Sequence, residues 1–327
     1  MRILILGAGS IGERHLKNLK SLNAEVEICD LRKERLKEIG KKHNVKTYLR
    51  MEDALKNNFD AALICTPSNL HAKHAVECAK KGLNLFIEKP LSDKPDVDEL
   101  ARIIKEKNLT SFVACNMRFN KGISFIKKQI DENRIGKITG ARIEFGYYLP
   151  DWHPTEDYRK GYSANKSMGG GIILDAIHEI DYAKWFFGKA EKVSCFSGKM
   201  SSLEIDTEDY AEILIQFENN VVAEVHLDYL QRAYRRTCQL IGAKGTILWD
   251  FNEKKVRIFA DKKWLDFEFK EEVNDMYVEE ARHFLNCIKG KEKPLSDILS
   301  GKSVLEIALS AKESSEKGKV VKLKQLL

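Results

Sequence analysis

The chain of 327 residues is longer than a typical single domain, which predicts two domains. Its composition, with 43% apolar and 32% charged residues, is that of a globular protein with a substantial core, not of a disordered or fibrous chain. The net charge of +6 comes from lysines interspersed with acidic residues, which is typical of a solvated surface and argues against a nucleic-acid partner.

The seven cysteines are an odd number, and no two of them form a C-x-x-C pair. This pattern argues against a disulfide framework and against a metal site, and it favours reduced, buried thiols in a cytoplasmic protein. No apolar run approaches the roughly 18 residues that a membrane span needs, so we predict no membrane partner. The first apolar run begins almost at once, which predicts that no signal peptide precedes it.

Short apolar runs alternate with amphipathic stretches in the first part of the chain. The runs cover residues 3–6, 26–29, 45–48, 61–65, 83–87 and 112–114. Between the first two runs, Leu16, Leu19 and Leu22 recur at a helical spacing. Strands that alternate with helices predict right-handed βαβ units and a parallel sheet. We therefore predict an α/β fold with a doubly wound Rossmann domain over residues 1–120.

The pattern changes after residue 137. Apolar and polar residues alternate over 211–217 and again over 221–227, with Asn219-Asn220 between them, which predicts a β-hairpin with one covered face. Further strand patterns cover 236–241, 246–249, 256–259 and 264–269, and helical patterns cover 275–288 and 296–316. We therefore predict an α+β domain with an open, mostly antiparallel sheet over residues 121–327, whose C-terminal helices are free to pack on the first domain.

One face of this predicted sheet carries alternating apolar residues such as Ile213 and Val225. Too few helices follow in the sequence to cover both faces of the sheet. We therefore expect a homodimer or homotetramer that is built sheet to sheet.

The sequence GAGSIG forms a G-x-G-x-x-G motif between the first predicted strand and the first predicted helix. Gly7 permits a tight turn, Gly9 lets the backbone approach a pyrophosphate, and Gly12 lets the helix pack closely on the strand. The helix N-terminus at Ser10 and Ile11 adds backbone N–H groups and the positive end of the helix dipole. The strand before the motif and the helix after it make a dinucleotide site the favoured interpretation.

Asp30 ends the second predicted strand, where dinucleotide-binding domains carry an acidic residue. Its carboxylate can accept hydrogen bonds from the adenosine ribose hydroxyls and would repel a 2′-phosphate, so we predict NAD in preference to NADP. Arg32 is close enough to Asp30 in the sequence to reduce the preference for NAD by pairing with the 2′-phosphate of NADP. A solvated helix residue is an equally good interpretation of Arg32.

A lysine follows the fifth predicted strand in the triplet Glu88-Lys89-Pro90. At the carboxyl end of a parallel strand, the Lys89 side chain would point into the crevice where ligands bind. An ammonium group there can hold a reacting hydroxyl and stabilise developing alkoxide charge. Taken alone, an exposed lysine on a turn is the more common outcome. The Lys89–Pro90 bond is also a candidate for a cis peptide.

Four segments resemble the glucose–fructose oxidoreductase, inositol dehydrogenase and MocA (Gfo/Idh/MocA) family. They are GAGSIG, ICTPSNLHAKHA, GLNLFIEKPLS and GGGIILDAIHEIDYAKWFFG, which follow the family's order and spacing and span essentially the whole chain. The resemblance implies an NAD(P)-dependent oxidoreductase that acts on a carbinol of a sugar, sugar derivative or cyclitol. It also implies a second domain whose open sheet supports the substrate pocket and the oligomer contacts.

The resemblance further implies roles for single residues. Lys89 resembles the family's active-site lysine, and Glu88 resembles a contact to the cofactor ribose or a scaffold residue. The other implied cofactor positions are Thr66, Pro67, Asn69 and His71 at the cofactor rim, and Asn116 and Arg118 near the nicotinamide.

Asp175 and His178 lie in the segment opened by three glycines. If this segment is helical, the two residues share a face; a histidine suits proton acceptance, and a carboxylate can orient it or the substrate. The family pattern places the aspartate four residues before the histidine and a second aspartate three after it. His178 and Asp181 keep the second spacing, whereas Asp175 is one residue too close. We therefore assign proton transfer to His178 and leave the catalytic role of Asp175 open.

The segment 151–166 is rich in polar and aromatic residues, among them His153. Aromatic faces stack on sugar rings, and basic side chains bind carboxylate or phosphate substituents. Trp152, Tyr158 and Arg159 are therefore candidate substrate-binding residues, together with Lys89, Asp175 and His178. An ordered surface loop explains this segment equally well.

Three functions fit these features. The leading one is reversible dehydrogenation of a polyol, in which His178 takes the hydroxyl proton and Lys89 assists. The second is a glycosidase-type enzyme that holds NAD tightly for a transient oxidation and gives no net NADH. The third is a non-catalytic NAD-binding regulator, against which the presence of both Lys89 and His178 argues.

Overall fold

A computed structural model describes residues 1–152, 154 and 156–323. The chain divides into two compact units, of which the first comprises residues 1–116 and 273–303 and the second comprises 117–272 and the chain from 304. The first boundary lies close to the predicted one at residue 120. Residues 273–303 group with the first unit; the prediction of a second domain over 121–327 leaves the C-terminal helices free to pack on the first domain.

The first unit alternates strands and helices along the chain. Its elements from the N-terminus are β1 (Arg2–Leu6), α1 (Ser10–Ser21), β2 (Glu25–Cys29), α2 (Lys33–His43), β3 (Thr47–Tyr48), α3 (Met51–Ala54), β4 (Ala61–Ile64), α4 (His71–Lys80), β5 (Asn84–Ile87), α5 (Asp98–Glu106) and β6 (Ser111–Val113). The six strands form a parallel sheet in the order β3-β2-β1-β4-β5-β6. This confirms the predicted doubly wound Rossmann fold.

The parallel arrangement determines where polar side chains of the first unit gather. Because all six strands run in one direction, the residues that follow them lie at one edge of the sheet. The strand order reverses between the neighbouring strands β1 and β4, and ligands of such sheets bind in the crevice outside this reversal. The turns after β1, β2, β4 and β5 therefore border a single crevice.

The second unit is built around a sheet of nine strands. Its elements are α6 (Lys121–Asp131), β7 (Ile138–Gly146), α7 (Ile172–Asp175), α8 (Ile177–Phe187), β8 (Ala190–Gly198), β9 (Tyr210–Phe217), β10 (Val222–Asp228), β11 (Arg235–Gly242), β12 (Gly245–Asp250), β13 (Lys255–Ala260), β14 (Lys263–Glu268) and β15 (Val321–Lys322). The strand order is β14-β13-β12-β11-β7-β10-β9-β8-β15, and all pairs are antiparallel except β7 with β10. The predicted open, mostly antiparallel sheet is thereby confirmed.

Of the two long helices near the C-terminus, one lies in the first unit and the other crosses the unit boundary. Helix α9 (Val273–Ile288) lies in the first unit and packs against α1. There Asn274 donates to the side-chain oxygen of Asn18 at 2.9 Å. Helix α10 (Ile298–Lys317) contains the unit boundary, which falls between residues 303 and 304.

The two faces of the nine-stranded sheet differ in polarity. Ile213 and Val225 pair across β9 and β10, and both are 0% exposed. Helices α7 and α8 of the same unit cover this apolar face. The covered face predicted for this hairpin is therefore buried by helices of the same chain. The opposite face is open and carries charged residues such as Glu224 and Arg142.

Candidate active site

The glycines after β1 are required for different reasons. Gly7 has a φ of +105°, and a Cβ there would lie 2.3 Å from the carbonyl oxygen of Cys65. A Cβ on Gly12 would lie 2.0 Å from the carbonyl oxygen of Gly7. Gly9, by contrast, has an ordinary φ of −69° and no atom within 4 Å of its Cβ position. Its lack of a side chain leaves open space, which suits the close approach of a ligand.

Helix α1 starts directly after this open position. Gly9 is its N-cap residue, and within the described part of the chain no side chain caps the helix. The first N–H groups of a helix, here those of Ser10 and Ile11, have no partner within the helix. Together with the helix dipole, they form a suitable site for a phosphate group.

Asp30 connects the glycine loop to the end of β2. Its Oδ2 accepts from the backbone N–H of Ala8 at 2.7 Å, and its Oδ1 accepts from the backbone N–H of Arg32 at 2.8 Å. The Arg32 guanidinium also binds both carboxylate oxygens. Burial alone would raise the pKa of Asp30, but these donors outweigh it and hold the pKa below its usual value. The carboxylate is therefore ionised at neutral pH.

The turns after β4 and β5 are joined through a buried histidine. The His71 ring contacts the carbonyl oxygens of Thr66 and Pro90, each at 2.7 Å. Burial lowers the pKa of His71. Pro67 and Asn69 lie in the turn that leads into α4, and Asn69 is exposed. The contacts of His71 favour a scaffold role, in which it fixes the two turns relative to each other.

Glu88 is buried and paired with a histidine of α1. Its Oε1 lies 2.6 Å from Nε2 of His15, which is 0% exposed. Burial would raise the pKa of Glu88, but His15 and the neighbouring Lys89 lower it overall. Of the two roles predicted for Glu88, these contacts favour the scaffold, because the carboxylate links the phosphate loop helix to the turn that carries Lys89. The Lys89–Pro90 peptide bond is cis.

Asn116 and Arg118 lie in very different surroundings. Asn116 ends the first unit, is 6% exposed, and its Oδ1 has no hydrogen-bond partner among the described residues. Arg118 belongs to the second unit, where its Nε and Nη2 bind both carboxylate oxygens of Asp181 at 2.8 and 2.7 Å. Asn116 therefore offers an acceptor to a ligand, whereas the contacts of Arg118 favour a structural ion pair over the predicted place near the nicotinamide.

Asp175 and His178 do not share one helix. Helix α7 ends at Asp175, Ala176 leaves the helical conformation with a ψ of +33°, and α8 starts at Ile177. The predicted common face is therefore interrupted, because Ala176 separates the two helices. His178 lies in the first turn of α8 and is 9% exposed.

The Asp175 carboxylate is the centre of a buried cluster of hydroxyl groups. It accepts hydrogen bonds from Tyr162, from Ser163 at 2.6 Å and from Tyr229 at 3.0 Å. Burial raises the pKa of Tyr229 well above its usual value, so its hydroxyl remains a donor. These contacts favour a role for Asp175 in positioning the loop before α7 over direct participation in the chemistry.

The three candidate substrate residues in segment 151–166 have different contacts. The Trp152 indole donates to the carbonyl oxygen of Tyr147 at 3.1 Å and packs edge-on against Tyr229. Tyr158 lines a cleft of about 220 Å³. Arg159 is exposed and bound to Asp157, so its contacts favour a surface role. His153, in the same segment, lies outside the described residues.

Several residues of these clusters were missed at the level of sequence. They are His15, Tyr162, Ser163 and Tyr229, together with Arg236, whose Nε pairs with Glu179 at 2.9 Å. The spacing of His15 after the glycine motif places it on the buried side of α1 and was a usable signal. The others are far in sequence from the groups they bind, and no local pattern marks them.

The first unit fits a dinucleotide by its own geometry. Gly9 leaves space beside an uncapped helix N-terminus, and Asp30 supplies an ionised carboxylate at the end of the adjacent strand. In the described residues, no group of three or more His, Cys, Asp or Glu side chains is arranged to hold a metal ion. Nor does any described helix combine the length and apolar character that crossing a membrane requires.

Comparison with known proteins agrees with this architecture. Residues 1–115 match the model of an oxidoreductase family with an NAD-binding Rossmann fold, and residues 123–248 match the Gfo/Idh/MocA C-terminal domain. The chain is 30% identical to a myo-inositol 2-dehydrogenase of Thermotoga maritima over 100% of both chains. It is 24% identical to a scyllo-inositol 2-dehydrogenase (NAD(+)) of Bacillus subtilis, over 99% of this chain and 96% of that protein.

Solved structures with the same fold include two dehydrogenases. A levoglucosan dehydrogenase in complex with NADH superposes with a TM-score of 0.90 at 20% identity and 100% coverage of both chains. A myo-inositol 2-dehydrogenase from Lactobacillus plantarum superposes with a TM-score of 0.85 at 23% identity and 99% coverage of both. The chain therefore belongs to the Gfo/Idh/MocA family of oxidoreductases. It is an NAD(P)-dependent oxidoreductase, as its sequence motifs predicted.

Proposed function

We propose that the protein is a dehydrogenase that oxidises a carbinol of a cyclitol or sugar with NAD. The observation that carries this proposal is the placement of Gly9, Asp30 and Lys89 after β1, β2 and β5, at the carboxyl edge of one parallel sheet. The residues that we propose as phosphate site, ribose acceptor and ammonium group thus all follow strands that end at the same edge. The inositol dehydrogenases among the relatives support a polyol as the substrate class.

In the proposed reaction, one group of residues binds the cofactor and another acts on the substrate. Gly7, Gly9 and Gly12 with the start of α1 hold the pyrophosphate, Asp30 accepts the ribose hydroxyls, and Asn116 offers an amide oxygen. NAD, when bound, supplies the hydride acceptor. Lys89 holds the substrate oxygen and stabilises its developing negative charge, while His178 accepts the hydroxyl proton. Trp152 and Tyr158 contribute aromatic surface for the substrate ring, and Asp175 keeps the loop before α7 in place.

Formation of NADH tests this proposal directly. The protein should be incubated with NAD and, separately, myo-inositol, scyllo-inositol, levoglucosan, other sugars, sugar acids and nucleotide sugars, while absorbance of NADH is recorded. We expect accumulation with at least one cyclitol or pyranose sugar. Cleavage of a glycoside without net NADH would indicate transient oxidation instead. Binding of NAD with neither NADH formation nor glycoside cleavage would favour the regulator.

We further propose that NAD binds more tightly than NADP. Asp30 is ionised, and in the proposed binding mode its carboxylate would lie against the 2′-phosphate of NADP. Two like charges in such proximity cost on the order of 1 kcal/mol or more even at an effective dielectric constant near 20. Titration with both cofactors should therefore give the lower Kd for NAD, and Asp30→Ser should reduce the difference. Equal affinities for the two cofactors in the parent protein would contradict this prediction.

We also propose that the protein is a homodimer or homotetramer that associates through the open face of the nine-stranded sheet. This face holds a cleft of about 510 Å³ lined by charges of both signs, including Glu224, His226, Lys255 and Arg257. It also exposes Leu214, which is 50% accessible. A two-fold axis can place acidic groups of one copy against basic groups of the other.

Light scattering at micromolar concentration measures this association. We expect a dimer or tetramer that Leu214→Arg shifts towards the monomer, because a buried unpaired charge opposes the interface. Leu299→Arg is the matched control, since Leu299 is 60% exposed but lies in the first unit. If the parent protein is a monomer, the proposed self-association through the open face is wrong.

A cytoplasmic location is the last part of the proposal. All seven cysteines are buried free thiols. Burial raises the pKa of several of them, that of Cys78 to about 12, which keeps the thiols protonated and unreactive. Unpaired thiols of this kind suit a reducing compartment.

A further inference from the structure

The Arg32 guanidinium occupies acceptor positions on Asp30 that a bound ribose needs. Asp30 receives two hydrogen bonds on Oδ1, from the backbone N–H and Nε of Arg32 at 2.8 and 2.9 Å. It receives two more on Oδ2, from the backbone N–H of Ala8 at 2.7 Å and from Nη2 of Arg32 at 2.8 Å. An ionised carboxylate offers about four lone-pair positions in total. Asp30 is therefore saturated in the structure.

The four donors differ in how readily a ligand can displace them from the Asp30 carboxylate. Two are backbone N–H groups, which the loop after β1 and the start of α2 hold in place. The other two belong to a single guanidinium, whose side chain is 63% exposed. When that side chain swings away, one acceptor position opens on each carboxylate oxygen. These are the two positions that the adjacent 2′- and 3′-hydroxyls of an adenosine ribose can fill.

We propose that Arg32 is a specificity-determining residue that competes with the ribose of NAD for Asp30 and, once displaced, pairs with the 2′-phosphate of NADP. This inference rests on the proposed use of a nicotinamide dinucleotide. Binding of NAD displaces the Arg32 guanidinium from Asp30. The loss of this ion pair offsets part of the binding free energy that the ribose hydrogen bonds contribute. Binding of NADP brings a phosphate towards Asp30, but it also gives the displaced guanidinium a new partner with which it can form paired hydrogen bonds. Arg32 thus narrows the preference for NAD that Asp30 creates.

Calorimetric titration of NAD and NADP into Arg32→Ala and Arg32→Lys tests this competition. Arg32→Ala should lower the Kd for NAD about three-fold, in keeping with the modest strength of exposed ion pairs. It should raise the Kd for NADP about ten-fold, because the phosphate loses its charged partner. In Arg32→Lys, the ammonium lacks the planar fork that binds both oxygens of Asp30 but keeps the positive charge. We therefore expect tighter NAD binding, as in the alanine variant, with NADP binding close to that of the parent.

Arg102→Ala is the matched control for the loss of one positive charge. Arg102 is also exposed in the first unit, but it pairs with Glu106 on α5 and should leave both Kd values unchanged. The inference is overturned if the parent binds NAD and the Arg32 variants behave like Arg102→Ala. It is also overturned if Arg32→Ala weakens both cofactors equally. A parent that binds neither cofactor would instead overturn the proposed function, so the two failures are distinguishable.

Discussion

Replacement of Lys89 by alanine should lower turnover by roughly 10²-fold or more, while the affinity for NAD stays within a few-fold of the parent value. The lysine follows β5 at the carboxyl edge of the sheet, and we propose that its ammonium stabilises negative charge on the substrate oxygen as the hydroxyl proton departs. An interaction that strengthens in the transition state affects kcat, whereas uniform binding affects KM alone. Steady-state kinetics with the best polyol from the substrate screen, together with NAD titration, measure both quantities.

A second lysine variant separates this effect from a general loss of charge. Lys107 is exposed and ends α5 at the amino edge of the same sheet, away from the proposed site. Lys107→Ala should therefore keep the turnover of the parent. If Lys89→Ala also keeps near-normal turnover, Lys89 is a structural residue of the turn and the proposed mechanism is wrong at this point.

Replacement of His178 by asparagine should cost roughly 10²- to 10⁴-fold in turnover, the usual contribution of a positioned acid–base group. A histidine accepts a proton only in its neutral form, so oxidation by the parent should be slow at low pH and should rise through the neutral range. The variant should lose this rise. Its affinity for NAD should not change, because the cofactor residues proposed above lie in the first unit. The pH dependence of kcat over pH 5 to 9 provides the measurement.

His226 provides a matched control for the pH profile. It lies in the second unit, where the hydrogen bonds that its ring donates to the carboxylates of Asp228 and Glu212 outweigh burial and raise its pKa to about 9. It therefore remains protonated through the neutral range, and His226→Gln should leave the rise in activity near neutral pH in place. If His178→Asn retains the same rise, the proton goes to another group. Lys89 would then be the next candidate, and His178 would become a substrate-positioning residue.

Much of the first unit could be predicted because its signals are local. Most of its strands are short apolar runs, as is typical of a parallel sheet covered on both faces, although β2 contains the buried Glu27. The glycine motif is also local in sequence, and within it Gly12 meets the backbone of Gly7 in a single βα turn. The position of Lys89 followed from the direction of β5 alone. Such features depend on residues close in sequence and on the geometry that all parallel sheets share.

The second unit was predicted less completely. Its class of sheet was predicted correctly, but β7 and β8 were not identified, although Ala141, Ile143 and Phe145 alternate in burial with their neighbours as in β9. The sequence also could not show which face of the sheet the helices cover. Ile213 and Val225 lie on the face that helices of the same chain bury, which leaves the charged face open. Whether an apolar face is covered depends on how helices that are distant in sequence pack on the sheet. The alternation of apolar residues within a strand carries no information about that packing.

The sequence by itself determined the Rossmann unit, the glycine motif after β1, the acidic residue after β2 and the family of oxidoreductases to which the chain belongs. Only the tertiary structure decided the partners of individual polar side chains. Asp175 accepts hydrogen bonds from Ser163, which precedes it in the chain, and from Tyr229, which follows it. Arg118 forms an ion pair with Asp181. A buried charge must find hydrogen-bond partners, but its type does not specify which ones. That choice depends on packing between residues far apart in sequence, and it distinguishes a scaffold carboxylate from a catalytic one.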